Sequence, residues 1–184
     1  MKNTALLIID VQIAMFSAED PLYNGGQVLA NIQRVLETAR NIYMPVVFIQ
    51  HTEDEEYTKG APTWEICREI YPLRHEKVVE KSSWDAFHQT NLQSVLQEMH
   101  IQNLIIAGMQ SEFCVDTTCR RAFSMGYGSI LVEDAHTTFD CDFMTGEQIV
   151  KHENRVLGGR PNGRFVRLGS TDEIISSMNH GAQR

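Results

Sequence analysis

An α/β fold built on a doubly wound sheet of about six mostly parallel strands is what this sequence predicts. Three observations predict it. Strand-like and helix-like segments alternate along the whole chain, which is how a parallel sheet covered on both faces reads. Residues 5–9, ALLII, are continuously apolar, the pattern of a strand buried on both faces. About six strand-like runs are visible where a closed barrel would need eight. No repeat, low-complexity tract or linker divides the chain, so residues 1–184 read as a single domain with a tail over 180–184 predicted to fray.

The first strand ends on Asp10, and VQIAMF and a loop rich in Asp, Pro, Asn and Gly follow. Val28, Leu29, Ile32, Val35, Leu36, Ala39 and Ile42 recur at helical spacing and predict an amphipathic helix over 27–43, ended by Pro45. Val46–Ile49 form the second strand, with Gln50 and His51 at its end. Residues 52–75 are irregular and carry Trp64. Val78 and Val79 suggest a short strand running into Glu80 and Lys81. Leu92, Val95, Leu96 and Met99 predict a helix over 91–100, capped by Thr90.

The stretch 104–126, LIIAGMQSEFCVDTTCRRAFSMG, organises the rest. Its apolar start, the break at Gly108 and the helical spacing of Val115, Cys119, Ala122 and Phe123 read as buried strand, sharp turn and helix start. Ile130–Val132 predict a further strand ending at Glu133, Asp134, Ala135 and His136. A helix over 145–157 stops at Gly158 and Gly159. Phe165, Val166 and Leu168 make a last short strand. Ser170 and Glu173 have capping-box spacing for a final helix.

Composition narrows the function classes. The formal net charge of −8 leaves no basic stripe for nucleic acid and argues equally against an anionic membrane surface. No apolar run reaches membrane-span length, and the N-terminus does not read as a signal peptide. Cys67, Cys114, Cys119 and Cys141 form no CxxC pair, which fits reduced thiols in the cytoplasm. There is no GxGxxG, no GxxxxGK[ST] and no GxSxG. The seven histidines make no HxH, HxxxH or HExxH pair. No cofactor and no metal are expected.

Chemistry gathers at strand ends. Parallel strands present their carboxyl ends on one edge of the sheet, where open α/β sheets place ligands. Asp10, Lys81 and Cys114 all fall there. A thiol at a helix start sits among free N–H groups, which favour the reactive thiolate. Asp10 supplies a base, and Lys81 a cation that lowers the thiol pKa. The same residues also fit a small core cysteine and a turn-forming aspartate. Gln12, Phe16, Trp64, Trp84, Phe87 and Phe113 are the pocket-wall candidates, carried by loops at 13–25, 52–75 and 82–90. Aromatic residues there also serve as ordinary core.

The segments IIDVQIAMF at 8–16, VVEKSSWDAF at 78–87, LIIAGMQSEFCVDTTCRRAFSMGY at 104–127 and LVEDAHTT at 131–138 resemble the isochorismatase-like cysteine hydrolase superfamily in content and spacing. The resemblance implies a three-layer α/β/α fold and a catalytic triad of Asp10, Lys81 and Cys114. It also implies a cis Met109–Gln110 peptide and an oxyanion hole made by the backbone N–H groups of Gln110 and Cys114. The activity it implies is amidohydrolase chemistry on a small-molecule C–N bond through a thioester. A homo-oligomer, dimer or larger, is implied as well.

Two departures bear on the subgroup. Nicotinamidases carry a metal-binding Asp-x-His after the second strand, where this chain reads FIQHTEDEEY. Ser111 stands where many members have Thr. Vinyl-ether hydrolysis of the isochorismate type is the alternative activity, and a catalytically silent binding protein or a thiol redox role would be a different class.

Overall fold

Strand order follows from where the apolar runs can be buried. The structure, a computed structural model, describes residues 1–16, 21–159 and 165–182. The strands are β1 (Thr4–Ile9), β2 (Val46–His51), β3 (Lys77–Lys81), β4 (Asn103–Met109), β5 (Gly128–Thr137) and β6 (Arg167–Gly169). They form one sheet in the order β3-β2-β1-β4-β5-β6, and every pairing is parallel. β1 and β4, the most continuously apolar strands, lie in the middle, where both faces are covered. The chain winds outward from β1 to β3, returns beside β1 as β4, and winds out the other way. The switch point therefore lies between the carboxyl ends of β1 and β4.

The two faces follow the two-residue period of the strands. Leu6 and Ile8 of β1 face a core filled by α1 (Gly25–Asn41) and α5 (Thr171–Ala182). Ala5, Leu7 and Ile9 face the opposite core, with Leu92, Val95 and Leu96 of α2 (Leu92–Glu98), Cys119 and Ala122 of α3 (Asp116–Ser124) and Leu157 of α4 (Gly146–Leu157). The result is the three-layer α/β/α arrangement.

The capping box at the final helix is present, with Ser170 N donating to Glu173 Oε2 at 3.0 Å and Glu173 N to Ser170 Oγ at 3.3 Å. That helix runs through 180–182, the start of the tail predicted to fray, while residues 183–184 lie outside the described residues. The N-cap of α2 is Asn91 and not the expected Thr90, although Thr90 Oγ1, one residue earlier, accepts from Leu92 N at 3.2 Å.

The helices predicted over 27–43 and 91–100 run Gly25–Asn41 and Leu92–Glu98, and two strand boundaries also differ from the sequence reading. Phe165 and Val166 precede β6, which begins at Arg167. Strand β5 is ten residues long, starting at Gly128 ahead of the predicted Ile130 and running one residue past the predicted ending Glu133, Asp134, Ala135 and His136. It contains a bulge. β4 pairs Ile106 with Leu131 and then Gly108 with His136, so β5 inserts extra residues opposite a short stretch of β4. Gly108 sits where the register shifts and is pressed against β1 on its other side. Its φ is +129°, and a Cβ there would overlap the carbonyl oxygen of Ile9 and lie 2.7 Å from Ile9 N.

Candidate active site

The ends of β1, β3 and β4 bring three of the sequence-predicted residues together. Asp10 follows β1 with a left-handed backbone, φ 51°, and is fully buried. Its N–H donates to the Ile49 carbonyl at 3.0 Å, which ties it to β2. Lys81 ends β3, and its register partner is His51 at the end of β2. Cys114 lies in a π-helical turn, Ser111–Val115, that follows β4 and precedes α3. The nucleophile candidate therefore sits two residues ahead of α3. The Met109–Gln110 peptide is cis. Both Phe113 N (3.3 Å) and Val115 N (3.1 Å) donate to the Gln110 carbonyl, which folds the turn back on itself.

Lys81 Nζ is the centre of this arrangement. It lies 2.7 Å from Asp10 Oδ2, 3.1 Å from Cys114 Sγ, 3.0 Å from His51 Nδ1 and 2.9 Å from the Ser83 carbonyl. An ammonium carries three protons, so four acceptors compete for them. The hydrogen bonds go to Cys114 Sγ, His51 Nδ1 and the Ser83 carbonyl, and Asp10 Oδ2 is held as the ion-pair partner. Burial disfavours the Lys81 charge, but Asp10 and Cys114 outweigh it and hold its pKa above the ordinary lysine value.

The thiol behaves differently from the sequence expectation. Burial, and then the charge and hydrogen bonding of Asp10, push Cys114 up to about 12 against the lowering effect of Lys81. At neutral pH the thiol keeps its proton. The lowering effect expected of Lys81 is present, but burial and Asp10 outweigh it. The group is a thiol with a base in contact. Asp10→Asn should therefore bring the Cys114 pKa down, since Lys81 is then unopposed. Iodoacetamide labelling of Cys114 at pH 8 should rise at least about tenfold while turnover falls. Labelling that slows or stays unchanged would contradict the assignment of Asp10 as the group that holds the proton on sulfur.

The remaining predicted residues divide. Gln12 is fully buried and is a tie, not a pocket wall. Its Nε2 donates to the carbonyls of His51 (2.9 Å) and Trp64 (2.8 Å), and its Oε1 accepts from His51 N (2.8 Å). Phe87, also buried, belongs to the core and stacks on Tyr127 with ring centres 5.7 Å apart. Phe16 packs against the α1 core. Trp64 donates from Nε1 to Thr52 Oγ1 at 3.0 Å. Trp84, 58% exposed, and Phe113 pair at 4.8 Å beside the Cys114 turn and remain wall candidates. Of the 13–25 loop, residues 17–20 lie outside the described residues. A groove of about 1120 Å³ lies at the other edge of the sheet, between Thr4, Asn103, Gly128 and Arg167, and none of the predicted site residues lines it.

Two groups of residues escaped the sequence reading. His51 touches Lys81 through Nδ1, and its Nε2 meets Glu53 Oε2 at 3.0 Å. Its signal was available, because it ends a strand beside the strand that carries Lys81. The second group anchors the nucleophile turn. Ser111 Oγ lies 2.8 Å from His136 Nδ1, and His136 Nε2 lies 3.0 Å from Asn154 Oδ1. Asn154 Nδ2 donates to the Glu133 carbonyl, which orients its oxygen toward His136. The Nε2 of His136 therefore carries the proton and Nδ1 accepts from Ser111. Burial lowers the His136 pKa and keeps the ring neutral.

The family model described as Isochorismatase domain matches residues 4–153. A streptothricin hydrolase of Streptomyces noursei is 33% identical over 74% of this chain, although the match spans only 50% of that longer protein. The ureidoacrylate amidohydrolase of Agrobacterium fabrum (strain C58 / ATCC 33970) is 26% identical over 77% of this chain and 79% of its own length. A crystal structure of an isochorismatase family protein superposes with a TM-score of 0.86 at 35% identity, covering 92% of this chain and 99% of that one. The match of the family model over most of the sequence shows that this chain belongs to the isochorismatase family of hydrolases.

Proposed function

We propose that this chain is a cysteine amidohydrolase that cleaves a C–N bond of a small molecule through a thioester on Cys114. One observation carries the reading: a buried thiol that keeps its proton lies against both a buried carboxylate and a buried ammonium. A thiol pushed up to about 12 attacks a carbonyl only if a base takes its proton during the attack. Asp10 is that base.

The Cys114 proton passes to Asp10 as sulfur bonds to the substrate carbonyl carbon. As sulfur gains charge it becomes a stronger acceptor, and the hydrogen bond it already receives from Lys81 strengthens. The N–H groups of Gln110 and Cys114 face the developing oxyanion. Asp10 returns the proton to the departing nitrogen, and ammonia or an amine leaves. Water then attacks the thioester with Asp10 again as base, and the released sulfur recovers its proton. The name of the ureidoacrylate amidohydrolase relative supports C–N cleavage over the ether alternative.

The test is a panel of small primary amides and ureido acids scored by ammonia release, run beside an isochorismate-type enol ether scored by loss of the ether. Ammonia release that requires Cys114 supports the amidase reading. Turnover of the ether alone, with no ammonia from any amide, would replace it with vinyl-ether hydrolysis.

A further inference from the structure

Asp10, His51 and Cys114 are all buried, and each can offer one metal-ligating atom, with these atoms within 4.8 Å of one another. Carboxylate, imidazole and thiolate together are a zinc donor set. Lys81 Nζ sits among them, 2.7, 3.0 and 3.1 Å from the three side chains. Zinc bonds to the same atom types run about 2.0–2.3 Å, so the three ligands would need to close by only about 1 Å around an ion in that position. His51 is already held as zinc-bound histidines are, with its outer nitrogen 3.0 Å from the Glu53 carboxylate. The Ser83 carbonyl oxygen, 2.9 Å from Nζ, or a solvent oxygen would complete a tetrahedron.

We propose that the Lys81 ammonium occupies the cation position of an Asp10/His51/Cys114 metal site, and that removing it turns the active centre into a zinc site. The charges agree. Ammonium, carboxylate and protonated thiol sum to zero, and so do Zn²⁺, carboxylate and thiolate. Binding releases the Cys114 proton to solvent and makes one Zn–S bond. In the native chain an incoming ion must first displace an ammonium seated 2.7 Å from Asp10 Oδ2, 3.0 Å from His51 Nδ1 and 3.1 Å from Cys114 Sγ. Lys81 thus keeps thiophilic metals off the nucleophile. This inference stands apart from the choice between amide and ether chemistry.

The experiment titrates Co²⁺, as a spectroscopic stand-in for Zn²⁺, into the native chain, Lys81→Met, Lys81→Ala and the double variant Lys81→Met/Cys114→Ser. The expected result is one equivalent bound by Lys81→Met, with a thiolate-to-cobalt absorption band that vanishes in the double variant. Zn²⁺ at a hundredfold excess over its Kd should raise the Tm of Lys81→Met by about 5–10 °C. The native chain should bind at least about a hundredfold more weakly. If Lys81→Met or Lys81→Ala is poorly folded alone, Zn²⁺ in the refolding buffer should restore it. The proposal is overturned by a band that survives Cys114→Ser, by equal binding to the native chain, by no band in either lysine variant, or by lysine variants that stay unfolded with saturating metal.

Discussion

Cys114→Ser and Cys114→Ala should each lower kcat/KM by about 10⁴-fold or more while leaving the Tm within a few degrees of the native value. The two expectations belong together. The thiol is the group the proposed reaction consumes and restores, so its loss removes the covalent route altogether. The fold does not lean on it, because Asp10 and Lys81 remain paired at 2.7 Å, and Lys81 keeps His51 and the Ser83 carbonyl. Serine leaves the geometry nearly unchanged, but its hydroxyl is a far poorer nucleophile beside a carboxylate base. Steady-state rates and thermal melts on the same preparations check both halves. A serine variant that keeps more than about 1% of native turnover would remove Cys114 from the centre of the mechanism.

Gly108→Ala should carry the largest cost to stability of any small substitution in the sheet, about 4 kcal/mol or more. Two effects add. An L residue is strained at φ +129°, and the new methyl meets the backbone of Ile9 in the adjacent strand. Ile9 and Gly108 are register partners at the switch point, so relief would spread the two central strands next to Asp10. The Tm should fall by about 8–16 °C. Gly126→Ala is the control. Gly126 has φ +88°, but nothing lies within 4 Å of the place its new methyl would take, so the change should cost only the backbone strain, about 1 kcal/mol. A Gly108→Ala variant within about 1 kcal/mol of native would mean that β1 and β4 can part cheaply.

Much of the site was legible because strand ends are legible. Asp10, Lys81 and Cys114 each follow an apolar run, and parallel strands bring such positions to one edge. What escaped depends on pairing across strands. His51 joins the site only because β2 and β3 align it with Lys81, and register is not a property of either segment alone. The bulge in β5 escaped for a similar reason, since it exists only in the pairing of Gly108 with His136. Gln12 and Phe87 were misplaced because residue type does not reveal direction. The amide of Gln12 turns inward to three backbone groups, and the ring of Phe87 to Tyr127. The thiol pKa escaped because it depends on burial and on the distance to Asp10.

Lys81 rides on the edge of the sheet. Among the described residues β3 pairs on one side only, and three of its five residues are exposed. Asp10 and the Cys114 turn hang from the two central strands. The proposed charge relay is thus assembled from the best-protected and the least-protected parts of the same sheet. Edge strands open in local excursions that leave the middle of the sheet intact. Under mild denaturant, amide hydrogens of β3 should exchange ahead of those in β1 and β4, and hydrolysis should be lost at a lower denaturant concentration than the central strands. The catalytic lifetime of this enzyme would then be governed by the docking of one five-residue strand, and added contacts on its free side should lengthen it.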